Sequence, residues 1–268
     1  MTFGLPYQGS KSKIALWIIA QLPKADCFVD LMAGGCAVTH AAMVSGKYKK
    51  FIANDVEGIP EIFKNAIAGK YKDFSTVPTR EEFFNTDDKL IKLLYSFGND
   101  RKSYLWGPDN EKIKVTASKM LMSKSLHDRR MYYLQFIRKL PKYTTNEGGE
   151  QNLLHLQNLE GLDRLQNLET HTLDYRSVKV PKNAVVYCDP PYRATPNSKR
   201  YTNAFDYHEF DKWLNSVDFP VYVSEYDAPD GCIEIAEIKR LSTMAAKGNV
   251  KRTEKLFIQE RFVNEYKI

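Results

Sequence analysis

The chain has 268 residues, 43% of them hydrophobic and 27% charged, with a formal net charge of +6. That suits an ordinary soluble globular protein of one large domain, or of a core domain with a sizeable insertion. No apolar run approaches the roughly 20 residues a membrane span needs, and the mildly basic balance fits a polyanion partner without demanding one.

In chain order, the stretch from Ile14 to Leu22 follows two lysines but is short and interrupted by Gln21. It reads as part of an amphipathic helix, Lys11–Leu22, rather than a signal peptide. Phe28–Leu31 and Phe51–Ala53 are short apolar runs without alternation, as expected of strands buried on both faces. A helix over Ala37–Ser45 separates them. Strand, helix, strand in that order predicts a parallel sheet with right-handed crossovers. From about Glu57 to Thr170 the chain turns polar and helical, with helices expected over Arg80–Leu94 and Ala117–Leu140. Strand-like runs resume at Val185–Cys188, Val221–Ser224, Ile233–Lys239 and Lys255–Phe262. The predicted organisation is a sheet domain made of residues 1–56 and 171–268, with residues 57–170 inserted as a second, mostly helical domain.

Leucines recur every third residue at 153, 156, 159, 162, 165 and 168, and Leu-Gln-Asn-Leu-Glu occurs twice. A three-residue period drifts by about 60° per step around an α-helix, so these leucines would wrap most of the way round it. A helix buried on several sides is the expectation, with a repeat-like or irregular structure as the alternative. The four cysteines, Cys27, Cys36, Cys188 and Cys232, form no C-x-x-C pair and match no zinc spacing. They are expected as reduced thiols, in a cytoplasmic protein, with no metal.

The sharpest chemical signal is Asp189-Pro190-Pro191-Tyr192 directly after the strand Val185–Cys188. Chance would place such a tetrapeptide in a chain this long on the order of once in a thousand. It puts an acid and a rigid carbonyl at the carboxyl edge of a sheet, where open α/β folds bind ligands. The amino nitrogen of adenine is a poor nucleophile because its lone pair is delocalised into the ring. A carboxylate and a backbone carbonyl accepting its two N–H bonds would localise that pair, provided the acceptors are preorganised; prolines stiffen the loop. Tyr192 offers a flat face for the base to stack on. A base within a duplex cannot reach such a pocket and must be flipped out.

Three weaker signals accompany it. Phe28 to Val38 runs from a strand through Gly34 and Gly35 into a helix, an arrangement that lets a nucleotide-like ligand approach the backbone, although glycine turns after strands are common. Asp55 ends the second strand about 20 residues beyond that turn, placed for ribose hydroxyls or simply solvated. Tyr7-Gln8-Gly9-Ser10-Lys11 puts a lysine at a helix start, where the helix dipole disfavours it and a bound carboxylate would offset the cost.

Together these motifs resemble the Dam-type (D12 class, group α) DNA adenine-N6 methyltransferases over most of the chain. Tyr7, Gly9 and Lys11 look like that family's amino-terminal cofactor motif, Asp30 through Val38 its glycine motif, Asp55 its ribose acid, and residues 189–192 its catalytic loop. Phe205–Phe210, Val221–Tyr226 and the closing hairpin around Lys251–Ile258 also look like the family. The resemblance implies a Rossmann-like, S-adenosylmethionine-dependent methyltransferase fold with an inserted target-recognition domain. It also implies adenine methylation of double-stranded DNA, by a monomer or weak dimer of bacterial or phage origin. Cofactor contacts are expected from Tyr7, Lys11, Asp30, Gly34, Gly35, Asp55, Asp174 and Asp189, with Lys11 on the methionyl carboxylate. Asp189, Pro190 and Tyr192 are the expected catalytic residues. Arg101, Lys102, Tyr104, Trp106, Lys124, Arg129 and Arg130 are the expected DNA contacts. Two positions depart from the family: Met32 replaces an aromatic, and Cys36 replaces a glycine that would carry positive φ, a strain of roughly a kcal/mol or more. Rival readings are an amino-methyltransferase with another target, a degenerate DNA binder and a nicotinamide dehydrogenase.

Overall fold

The computed structural model describes residues 2–137, 148–157, 159, 167–193, 205–242 and 250–265. They divide into two compact units: Met1–Gly4, Lys11–Pro60 and Asn167–Ile268 in the first, Leu5–Ser10 and Glu61–Gln166 in the second.

The first unit is built on seven strands: β1 (Cys27–Asp30), β2 (Lys50–Asn54), β3 (Leu168–His171), β4 (Ala184–Cys188), β5 (Val221–Glu225), β6 (Cys232–Ser242) and β7 (Val250–Gln259). Their order is β3-β2-β1-β4-β5-β7-β6. The first five are parallel, and β7 turns antiparallel against β5 and pairs with β6 as a hairpin. β1 is flanked by β2 and β4 at its edges, and the helices Ala37–Val44 and Tyr207–Ser216 cover its two faces, which accounts for the unbroken apolar run. Its alternate residues divide between two layers. Cys27, Val29 and Leu31 pack with Val186, Cys188, Val221 and Val223 and with Phe210 and Leu214. Phe28 lies against Tyr48 and Tyr187 at 5.2 and 6.4 Å between ring centroids.

Helix α1 (Ala15–Gln21) and helix α2 (Ala37–Val44) pack on each other, and α2 packs on β1. The opposite core includes a helix that was not among the expected elements, Tyr207–Ser216. Its apolar residues Phe210, Trp213 and Leu214 repeat at helical spacing, and the Asp206 side chain caps it by accepting from the His208 and Glu209 N–H groups.

The second unit is helical: α3 (Ile59–Ile67) leads into it, followed by α4 (Arg80–Asn85), α5 (Lys89–Leu94), α6 (Glu111–Met122), α7 (Leu126–Ile137) and α8 (Gly148–Gln157). Tyr207–Ser216 is then α9. Two expected helices are each broken in two. Arg80–Leu94 divides because Asp88 caps a new start, accepting from the Leu90 and Ile91 N–H groups, while Thr79 and Glu82 form a capping box on α4. Ala117–Leu140 divides at Ser123, whose backbone is extended. Its end from residue 138 lies outside the described residues. The leucine triplets do not form one helix: Leu153 and Leu156 are in α8, Leu159 lies in a turn, and Leu168 opens β3, with Leu162 and Leu165 outside the described residues.

The domain boundaries also differ from the expected ones. β3, unforeseen, pairs in parallel with β2 from Phe51–Leu168 to Asn54–His171 and so carries residues 168–170 into the sheet unit. Residues 5–10 belong to the helical unit, where the Arg101 guanidinium sits 4.8 Å from the Tyr7 ring centroid.

Candidate active site

The parallel strands order three loops at one edge of the sheet. Asp30 and Tyr187 are register partners at the ends of β1 and β4, so the glycine turn and the Asp189 loop leave the sheet side by side. After β1, the Leu31 N–H donates to Tyr187 O at 3.0 Å and the Ala33 N–H to Asn54 O at 2.8 Å. The Asn54 side chain completes the anchoring, donating to Leu31 O and Leu173 O and accepting from the Leu173 N–H, each at 2.9 Å. The Asn54 side chain ties the segments after β1 and β3 together, and its role was not visible in the sequence. Gly34 adopts φ 46°. Cys36 does carry the positive φ its position demands, at φ 59° and ψ 30° just before α2, in the left-handed region that a non-glycine residue occupies only under strain.

Gly4 is a second residue the sequence reading passed over. Its φ is +72°, and a Cβ there would lie 2.4 Å from Gly35 O and 2.6 Å from Ala37 N. Its N–H donates to His40 Nδ1 at 3.0 Å. The missing side chain is what lets this segment lie against the glycine turn.

Asp55 closes the turn from the β2 side. One carboxylate oxygen accepts the Gly34 N–H at 3.0 Å and the other the Glu57 N–H at 2.9 Å. Asp30 is buried, and its Oδ2 accepts from the Thr39 hydroxyl at 2.7 Å. Its Oδ1, sealed from solvent, has no hydrogen-bond partner among the described residues.

Lys11 departs from expectation. It is 5% exposed, and its ammonium donates to both oxygens of Asp189 at 2.7 Å. The same nitrogen is 3.8 Å from Glu254 Oε1 and 4.5 Å from the centre of the Tyr192 ring. The Tyr192 hydroxyl donates to Glu254 Oε1, and Tyr226 meets the Tyr192 ring edge-on at 4.5 Å. Pro190 is buried, and Asp189 and Tyr192 are half-buried. Beyond the loop, the Arg193 N–H donates to Glu225 Oε2 at 3.3 Å and its guanidinium pairs with Asp211 of α9.

Along this edge Asp189 and Glu254 face Lys11, Asp211 and Glu225 face Arg193, Asp55 holds the glycine turn and Asp30 ends β1. Burial is the largest cause of the raised pKa values of Asp30, Glu225 and Glu254, each pushed up to about 7, and the Asp189 charge raises all three further. Between the ordinary carboxyl range and pH 7 the folded chain binds more protons than the unfolded one, so stability falls as pH rises through that window. The expected result is a thermal midpoint higher at pH 5.5 than at pH 8 by roughly 5–10 °C, a few kcal/mol in all. Scanning calorimetry across that range checks it; a midpoint that climbs toward pH 8 contradicts the assignment.

Asp174 does not stand as expected. It caps a short 3₁₀ turn, Tyr175–Ser177, and pairs with Arg176 at 2.8 and 2.9 Å, so both its oxygens are engaged. The hydrogen bond and charge of Arg176 hold its pKa below the usual value.

In the helical unit, Tyr104 and Trp106 are corrected from base-reading to core residues. Each is 6% exposed. The Tyr104 hydroxyl donates to Pro78 O at 2.7 Å, and the rings of Tyr95, Trp106 and Tyr104 meet edge-to-face. The loop that precedes them is held by Asp100, whose side chain accepts from the Lys102 and Ser103 N–H groups at 2.8 Å. It exposes Phe97, at 69%, together with Lys102. Arg101 is half-buried against Tyr7. Lys124 is exposed and paired with Asp73, and Arg129 and Arg130 are exposed on α7.

This edge belongs to a Rossmann-like methyltransferase. The family model of the D12 class N6 adenine-specific DNA methyltransferases matches residues 7–229, and the chain is a member of that family. It is therefore an adenine-specific DNA methyltransferase. Among solved structures, one from Pyrococcus horikoshii described as a candidate RNA methyltransferase aligns over 94% of this chain and 83% of its own, with a TM-score of 0.40 and 9% identity. A comparison with curated proteins returns no match. Among the described residues, no helix is long and apolar enough to cross a membrane, and no cluster of His, Cys, Asp and Glu could hold a metal ion.

Proposed function

We propose that this enzyme takes its methyl group from S-adenosylmethionine and delivers it to the N6 amino group of an adenine flipped out of double-stranded DNA. The observation that carries the reading is the Asp189–Tyr192 loop leaving β4 beside the glycine turn of β1. The residues present fit the donor. A sulfonium is a cation, and the carboxyl groups of Asp30 and Asp55 at the glycine turn offer it negative charge. Asp55 would take the ribose hydroxyls, and the Gly34–Gly35 turn allows close approach of the backbone. Asp30 completes the acidic floor. When bound, S-adenosylmethionine supplies an electrophilic methyl group on a good leaving group.

The chain's own residues do the rest. Asp189 and the Pro190 carbonyl accept the two amino hydrogens of adenine, localising the nitrogen lone pair, and the Tyr192 ring stacks on the base. Lys11 serves Asp189 in this reading, and the methionyl carboxylate competes for the same ammonium. Tyr7 belongs to the helical unit and is retained as a cofactor contact of that segment. Arg101, Lys102, Lys124, Arg129 and Arg130 are assigned to DNA, chiefly its phosphates. The enzyme would work in the cytoplasm as a monomer or weak dimer.

The test is incubation with S-adenosylmethionine and unmethylated double-stranded DNA, followed by mass spectrometry of the nucleosides. N6-methyldeoxyadenosine is expected. N4-methylcytosine in its place, or calorimetric binding of the cofactor without any methylated nucleoside, would overturn the reading.

A further inference from the structure

Glu254 lies within β7, opposite Ile238 of β6 and two residues before the apolar run Leu256-Phe257-Ile258. Its side chain is wholly buried. An acid in that place is costly to desolvate and would be replaced by an apolar residue if packing alone were at stake. It touches one end of the catalytic tetrapeptide directly and reaches the other through Lys11. The Tyr192 hydroxyl donates to Glu254 Oε1. Lys11, 3.8 Å from that same oxygen, holds Asp189 at 2.7 Å. The ammonium also lies over the Tyr192 ring, 4.5 Å from its centre, and Tyr226 closes on the ring edge-to-face.

We propose that Glu254 is a positioning residue for methyl transfer. It sets the tilt of the stacking ring through the tyrosine hydroxyl and the direction of the Asp189 carboxylate through Lys11. One oxygen on a rigid strand thereby fixes both groups that receive the base. The inference rests on the adenine-methylating function proposed above. It differs from a purely structural role, in which Glu254 only neutralises the buried lysine: that role would leave turnover independent of the Tyr192 hydroxyl.

The experiment compares kcat and KM of the full chain with those of Glu254→Gln, Tyr192→Phe and the double variant, on methylatable DNA. Glutamine keeps the shape and an acceptor oxygen but removes the charge; phenylalanine keeps the ring and removes only the hydroxyl. Each single variant is expected to lose about tenfold to a hundredfold in kcat, the range for small misplacements of reacting groups, with KM for S-adenosylmethionine little changed. The double variant should lose scarcely more than the worse single one, because both break the same link. A double variant whose losses multiply, or single variants with wild-type kcat, would overturn the proposal. Should Glu254→Gln fail to fold, as judged by circular dichroism, Tyr192→Phe decides alone, and unchanged turnover in it is fatal to the idea. A wild-type chain that makes no N6-methyladenine sinks the function itself, a different failure and one seen before any variant is compared.

Discussion

Replacing Asp189 by alanine should lower methyl transfer by about a thousandfold or more while leaving a folded protein. The magnitude follows from what one preorganised polar contact to a developing charge contributes, about 10²–10³ in rate, and from Asp189 being the only carboxylate in the tetrapeptide that leaves β4. Of the tetrapeptide's side chains, only Asp189 carries a charged acceptor to draw the hydrogens of adenine's amino nitrogen out of the ring plane. The fold should survive for a reason visible at Lys11. That ammonium loses two contacts at 2.7 Å but keeps Glu254 at 3.8 Å, so the buried charge is not abandoned outright. The stability loss should stay below the roughly 3–5 kcal/mol seen when a buried pair loses its only partner. Nucleoside mass spectrometry and a thermal melt, run on the same preparation, check both halves. An alanine variant that turns over within tenfold of wild type would remove Asp189 from the chemistry.

Gly4→Ala should be the most destabilising single-methyl change in the sheet unit. The added carbon would lie 2.4 Å from Gly35 O, 2.6 Å from Ala37 N and 2.7 Å from Ala37 Cα, all backbone atoms, with φ at +72°. Backbone cannot step aside as a side-chain tip can. Overpacking of about 1–3 kcal/mol adds to about 1 kcal/mol or more for the left-handed conformation. A fall of roughly 10 °C in the melting midpoint is expected for a chain of this size. The atoms displaced are those of the glycine turn, so cofactor affinity, measured by calorimetry below the melting range, should fall as well. A variant melting within about 2 °C of wild type would show that the segment can shift without cost.

The central strands were legible before the structure because they are buried on both faces. Phe28–Leu31, Val185–Cys188 and Val221–Ser224 have neighbours on either side and advertise it in unbroken apolar runs. β3 is an edge strand in which only Leu168 is buried, and a single apolar residue leaves no pattern. The broken helices failed to read for a related reason: the apolar residues of Arg80–Leu94 keep their spacing across the break, and the cap at Asp88 decides the outcome. Within the site, the loops after β1, β2 and β4 could be read because glycine turns and terminal acids belong to local sequence. Glu254 could not, since it stands in Lys251-Arg252-Thr253-Glu254-Lys255, a run that looks like a solvated edge. Its burial is decided by the Tyr192 loop and Lys11, which come from distant parts of the chain. Tyr104 and Trp106 misled for the converse reason. They follow a polar turn, and only the packing of Tyr95 between α5 and that turn draws them inward.

Lys11 and Glu254 lie far apart in the sequence, yet both touch the tetrapeptide that leaves β4 or the group that holds it. A ribosome must therefore have passed β7 before any pocket capable of gripping a base exists, and a protease that nicks a loop and lets the segment of Lys11 or of Glu254 drift away would silence the enzyme without touching its signature motif. Contacts of such long sequence separation also form slowly, so a newly made copy should remain inert toward DNA until β7 has docked.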